Sequence, residues 1–100
     1  MPVAVYKPKM ETPWGRADFV RDLGQGILAV STPEHGGIYV PPELLNKIPE
    51  SRRQYAKRWS RSESWYEEDV AWACVAEAFP HLFTAEQNKA AKATLAAVGV

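Results

Sequence analysis

Hydrophobic and polar positions change their rhythm near Pro41. Before it, from Ala17 to Val40, β-branched and aromatic residues are broken up by glycine. Phe19, Arg21 and Leu23 alternate with Val20 and Asp22 in the two-residue period of a half-buried strand. Gly24-Gln25-Gly26 predicts a turn, because glycine reaches positive φ without steric cost. Ile27 to Thr32 has the strongest strand character in the chain. Pro33-Glu34-His35-Gly36-Gly37 predicts a second turn and Ile38-Tyr39-Val40 a short third strand. Connections this tight imply an antiparallel meander.

Beyond Pro41-Pro42 the spacing becomes helical. Proline suits a first helical turn, so Glu43 to Ile48 is predicted as a short helix, and Pro49 opens another over Glu50 to Trp59. Ser64 and Glu67 have the spacing of a capping box, which predicts a helix over about Trp65 to Ala78, ended by Phe79-Pro80. In that helix Trp65, Trp72 and Phe79 would share one buried stripe. Thr84 and Gln87 repeat the capping box ahead of an alanine-rich helix that runs to about Ala97 and stops at Gly99. The fold class expected is α+β: an N-terminal three-stranded antiparallel sheet over residues 17–40, then three to four helices over 43–97 packed on one face. Residues 1–11 read as an irregular arm, and Trp14 as the residue that packs the arm onto the sheet.

Composition narrows this picture. One hundred residues, 46% of them hydrophobic and 24% charged, suit one globular domain. Cys74 is the only cysteine, which excludes intrachain disulfides and multi-cysteine zinc sites. It lies in the apolar run Val70 to Ala76, where a thiol reads as a small buried hydrophobe. With no apolar stretch long enough for a membrane span and no signal-peptide pattern, the expectation is a cytoplasmic protein without membrane association.

Twelve basic and twelve acidic residues cancel, which argues against strong direct binding to DNA. The neutral total conceals a dipole, however. Lys47, Arg52, Arg53, Lys57, Arg58 and Arg61 stand against the single acid Glu50. Glu63, Glu67, Glu68, Asp69 and Glu77 then follow with no base among them. These blocks read either as two solvated helix faces that pair with each other, or as a basic ridge interleaved with Tyr55 and Trp59 that grips phosphate or an acidic surface. Helical spacing puts Arg52, Tyr55 and Trp59 on one side and Arg53, Lys57 and Arg61 on another. Glu67-Glu68-Asp69 would complement a helix dipole or face a basic partner; adjacent positions diverge around a helix, which disfavours a compact metal site. Ten residues are therefore candidates for partner binding: Arg52, Arg53, Tyr55, Lys57, Arg58, Trp59, Arg61, Glu67, Glu68 and Asp69.

Catalytic patterns are weak. His35 and His81 define no motif, Cys74 is in the wrong setting for a thiolate, and Gly24-Gln25-Gly26 lacks the third glycine of a phosphate loop. No cofactor is expected.

Four blocks carry a resemblance: Thr12-Pro13-Trp14-Gly15-Arg16-Ala17-Asp18; Gly26-Ile27 with Ser31-Thr32-Pro33-Glu34-His35-Gly36-Gly37-Ile38; Trp65-Tyr66-Glu67-Glu68-Asp69; and Ala78-Phe79-Pro80. In this order, from about Thr12 to Phe83, the chain resembles an uncharacterised family, a domain of unknown function carried on phages, plasmids and other bacterial mobile elements. The basic stretch from Arg52 to Arg61 departs from that pattern, and the resemblance brings no catalytic residues with it. In size and style the chain is also similar to anti-CRISPR proteins, short non-enzymatic domains that block DNA access to a CRISPR surveillance complex or nuclease recruitment by it. The expectation is thus a protein-binding inhibitor of a host nucleoprotein defence complex, its partners the protein subunits of a CRISPR surveillance complex. The alternatives are a nucleic-acid-binding accessory or regulatory protein of a mobile element and, third, an enzyme with a site around His35 and Glu67-Glu68-Asp69.

Overall fold

A computed structural model describes residues 10–100, so most of the expected arm lies outside the described residues. Its described end is regular: β1 (Glu11–Thr12) and β2 (Gly15–Arg16) form a small antiparallel hairpin. The main sheet has four antiparallel strands in the order β3 (Phe19–Gly24), β4 (Ile27–Ser31), β5 (Gly36–Tyr39), β6 (Trp65–Glu67). The expected meander is present, with Gln25 (φ 58°) and Gly26 (φ 82°) both left-handed in the tight turn between β3 and β4. The expected three-stranded N-terminal sheet is corrected on two counts. A hairpin precedes it, and a fourth strand joins it from the half of the chain read as helical.

That fourth strand replaces the first turns of a helix expected from Trp65. Tyr66 pairs with Ile38 and Trp65 with Tyr39, while the Val40 amide donates to the Ser64 carbonyl and the Glu68 amide to the Gly36 carbonyl, at 2.8 and 3.0 Å. Aromatic residues fit a pleated surface well, and this pairing satisfies the outer edge of β5, a non-local gain that local capping signals do not register. Ser64 therefore caps nothing, and Trp65 and Trp72 share no helical stripe. The helix is shorter, α2 (Trp72–Ala78).

Elsewhere the helical reading holds. Pro42–Lys47 forms a 3-10 helix, α1 spans Glu50–Ser60 and α3 spans Ala85–Val98. The Thr84 hydroxyl accepts from the Gln87 amide while the Gln87 side chain accepts from the Thr84 amide, and Gly99 ends α3 in the left-handed conformation.

Cross-strand register sorts the sheet into two faces. Ile27, Ile38 and Tyr66 look toward α2 and join the main core with Val75, Phe79 and Leu95. Helix α3 packs on α2, and α1 runs against β6. On the opposite face Val20, Val30 and Ala17 form a smaller cluster with Met10, Trp14, Leu28 and Trp65. Trp14 thus packs the N-terminal hairpin onto the sheet. No helix among the described residues is long and apolar enough to cross a membrane.

Candidate interaction groove

The groove on the hairpin side is built from four separate segments. In the first, the Thr12 hydroxyl accepts from the Trp14 amide at 3.1 Å and donates to the Gly15 carbonyl at 2.7 Å, which fixes the turn that carries Trp14. The indole then lies against the backbone of Gly37 and meets Trp65 edge-on, ring centroids 5.7 Å apart. Tyr39 braces Trp65 from the same face at 5.0 Å. In the second segment, Thr32 closes a turn by exchanging side-chain hydrogen bonds with His35, accepting at 3.0 Å and donating at 2.7 Å, which holds His35 at the rim.

The third segment is α1. Buried Ala56 and Ser60 anchor its inner side, and the Ser60 hydroxyl reaches the Trp65 carbonyl at 2.9 Å, tying the helix end to β6. This directs Tyr55 and Trp59 to the groove as a ring pair 6.4 Å apart. Trp59 is 61% exposed, more than any other large hydrophobic side chain described. The fourth is the corner after β6. Glu67 accepts through Oε1 from the amides of Val70 and Ala71 at 3.0 and 2.9 Å, and through Oε2 from the Asp69 amide. Its carboxylate therefore caps the chain entering α2 from outside the helix. Trp14, His35, Tyr55, Trp59, Glu67, Asp69 and Val70 enclose about 460 Å³.

Four of the sequence candidates thus meet in one concavity: Tyr55, Trp59, Glu67 and Asp69. The basic residues divide. Arg52 pairs with Glu77 and donates to the Val100 carbonyl at 3.2 Å. Arg53 donates to the Ile48 carbonyl at 2.9 Å and to Glu63 at 3.0 Å. Both are half-buried internal ties. Lys57, Arg58 and Arg61 are exposed and make no ion pair among the described residues. Arg61 ends α1 with φ 65°, where glycine is the usual residue. Glu68 lines instead a second groove of about 500 Å³ on the helical side, together with Arg21, Leu23, Trp72 and Phe83.

Sequence reasoning missed Trp14 and Val70 as groove residues, while the placing of His35 beside Glu67 and Asp69 that the third reading assumed is present, though Glu68 lies elsewhere. Trp14 lies in a turn far along the chain from α1, and the strand β6 brings the segments together. Reactive groups are scarce. Burial pushes the Cys74 thiol up to about 11, the nearby Arg52 charge offsetting only part of this. Burial likewise raises the Tyr66 hydroxyl well above the usual phenol range. Among the described residues no three His, Cys, Asp or Glu side chains converge as a metal site.

No curated protein and no solved structure matches the chain. A family model does match residues 7–98, beyond the Thr12 to Phe83 span that carried the resemblance. The chain belongs to the family described as Domain of unknown function (DUF7007).

Proposed function

We propose that this domain acts by binding a protein partner, without catalysis, through the C-terminal part of α1 and the adjoining aromatic groove. One observation carries the reading. Trp59 stands 61% exposed beside Tyr55 on a helix whose other face is anchored by buried Ala56 and Ser60. Tryptophan, tyrosine and arginine are the residues that dominate interface energetics, and here the exposed indole is not isolated but pairs with Tyr55 at the lining of a concavity. The exposed Lys57, Arg58 and Arg61 at the same end of α1 supply charge for acids on the partner.

In its narrower form the proposal is an inhibitor of a host nucleoprotein defence complex, with the protein subunits of a CRISPR surveillance complex as partners. That form rests on the similarity in size and style to anti-CRISPR proteins. The free cations on α1 also favour a second reading, a nucleic-acid-binding accessory protein of a mobile element.

The test is affinity capture from bacterial lysate by the parent and by Trp59→Ala, with the retained proteins identified. The expected result is a defined protein retained by the parent and lost from the stably folded variant. Surveillance-complex subunits in that fraction support the narrower form. Equal retention by both proteins would refute the proposed surface. Tight duplex-DNA binding with a steep salt dependence would favour the second reading.

A further inference from the structure

The groove beside α1 combines features that point to the chemistry of what enters it. Its walls are the indoles of Trp14 and Trp59 and the phenol of Tyr55, with His35 at the lining as well, and its acidic lining consists of Glu67 and Asp69, with no lysine or arginine. Aromatic faces present negative potential, so a cation held against them is attracted, and more strongly as it loses water. Glu67 is occupied in accepting the amides of the α2 entrance. Asp69 is exposed, and its carboxylate has no hydrogen bond or ion pair among the described residues. A single carboxylate beside three rings matches a planar guanidinium or an ammonium, and it would repel a phosphate or a carboxylate.

We infer that the groove of Trp14, Tyr55, Trp59 and Asp69 receives one cationic side chain, an arginine or a lysine, projected by the protein partner. This deepens the proposed protein-binding reading and rests on it. Elsewhere on the C-terminal end of α1, the exposed Lys57, Arg58 and Arg61 would repel a uniformly basic surface, so the fitting partner carries a protruding base with acids near it. The volume of about 460 Å³ accommodates a long side chain with its aliphatic stem against the rings.

The test needs no identified partner. A capped Gly-Arg-Gly tripeptide, its lysine counterpart and its citrulline counterpart are titrated into the folded protein at millimolar concentration. The indole N–H resonances of Trp14 and Trp59 are followed by nitrogen–proton correlation spectra. Citrulline keeps the shape of arginine and removes the charge. The expected result is a saturable shift of both indoles with the arginine or lysine peptide, about tenfold weaker with citrulline. Asp69→Asn should weaken the cationic peptides toward the citrulline level, and Trp59→Ala should abolish the Trp14 response.

Equal response to citrulline would overturn the inference, as would no response to any peptide or an unchanged titration in Asp69→Asn. These outcomes stand apart from the lysate capture. Loss of capture with Trp59→Ala alongside a silent titration would reject the cation pocket and leave the protein-binding surface in place.

Discussion

Gly37→Ala tests the packing on which the groove depends. Gly37 sits within β5, opposite Val30 on one side and Glu67 on the other, and faces the hairpin. A methyl group placed there would lie 2.4 Å from Trp14 Cη2, 2.8 Å from Cζ3 and 2.5 Å from the Tyr66 carbonyl oxygen. Carbon atoms pack at about 3.5–4.0 Å, so the indole must withdraw by about 1 Å or more. The carbonyl belongs to the β5–β6 region and cannot retreat without disturbing that pairing. Overpacking a tight site costs about 1–3 kcal/mol, and loosening Trp14 from Trp65 adds to this, so a loss near ~3 kcal/mol is expected. For a domain of this size that lowers the thermal midpoint by roughly 10–25 °C. Far-UV circular dichroism reads the midpoint, and the near-UV band reports whether the Trp14–Trp65 contact survives. A double-mutant cycle with Trp14→Ala separates the two clashes. The ring clash predicts a favourable coupling of about 1–2 kcal/mol, with a residual cost left by the carbonyl. A midpoint within about 2 °C of the parent, or a strictly additive cycle, would show that Trp14 does not lie on Gly37.

Four further outcomes are expected. Tyr66→Phe should leave stability unchanged or raise it by up to about 1 kcal/mol, since the buried Tyr66 hydroxyl has no hydrogen-bond partner among the described residues; a loss above about 1 kcal/mol in denaturant titration would reveal a partner. Glu67→Ala should cost about 1–2 kcal/mol by releasing the amides at the α2 entrance, and an unchanged midpoint would refute the cap. Stability should fall as pH rises from about 9 toward 11, because burial raises the folded Cys74 thiol to about 11 and the unfolded chain gives up that proton first; Cys74→Ala should flatten the alkaline limb measured by chemical denaturation. Arg53→Met should destabilise by about 1–3 kcal/mol, whereas Lys57→Gln with Arg58→Gln should lower the thermal midpoint by no more than the equivalent of about 1 kcal/mol, the share these two contribute by complementing the C-terminal end of the α1 dipole; the reverse order would refute the division of the basic residues.

What could be read from the sequence follows the range of the forces involved. The meander from Phe19, α1 and α3 are set by local patterning and caps, and each stands close to its expected limits. β6 was hidden because its stabilisation is non-local. Ser64 and Glu67 have the spacing of a cap, yet the open edge of β5 recruits Trp65 to Glu67 as a strand. Glu67 still acts at a helix start, by reaching the amides two to four residues ahead. Gly36-Gly37 misled in a similar way. Paired glycines are a turn signal, and here they lie inside a strand because Trp14 needs the space above one of them. Tyr55, Trp59, Glu67 and Asp69 could be found by residue type, but that they share a groove depends on β6.

The basic block shows how one run of like charges divides its work. Six cations stand against one acid from Lys47 to Arg61, and four of them, Arg52, Arg53, Lys57 and Arg58, share α1, which poses a repulsion problem. The fold answers half of it. Arg52 is neutralised by Glu77 of α2, and Arg53 by Glu63 in the turn before β6, so the acidic block serves as internal counter-charge where the helix meets the rest of the chain. Past Arg53 the helix turns its cations outward, and Lys57 and Arg58 are exposed in its last turn without an ion pair among the described residues. Arg61 adds a backbone cost, since a left-handed residue other than glycine is unfavourable by about 1–2 kcal/mol. Lys57 and Arg58 complement the C-terminal end of the α1 dipole, worth about 0.3–1 kcal/mol each, but no described acid pairs with them or with Arg61. A partner that covers Trp59 and supplies acids at its rim would give all three an ion partner.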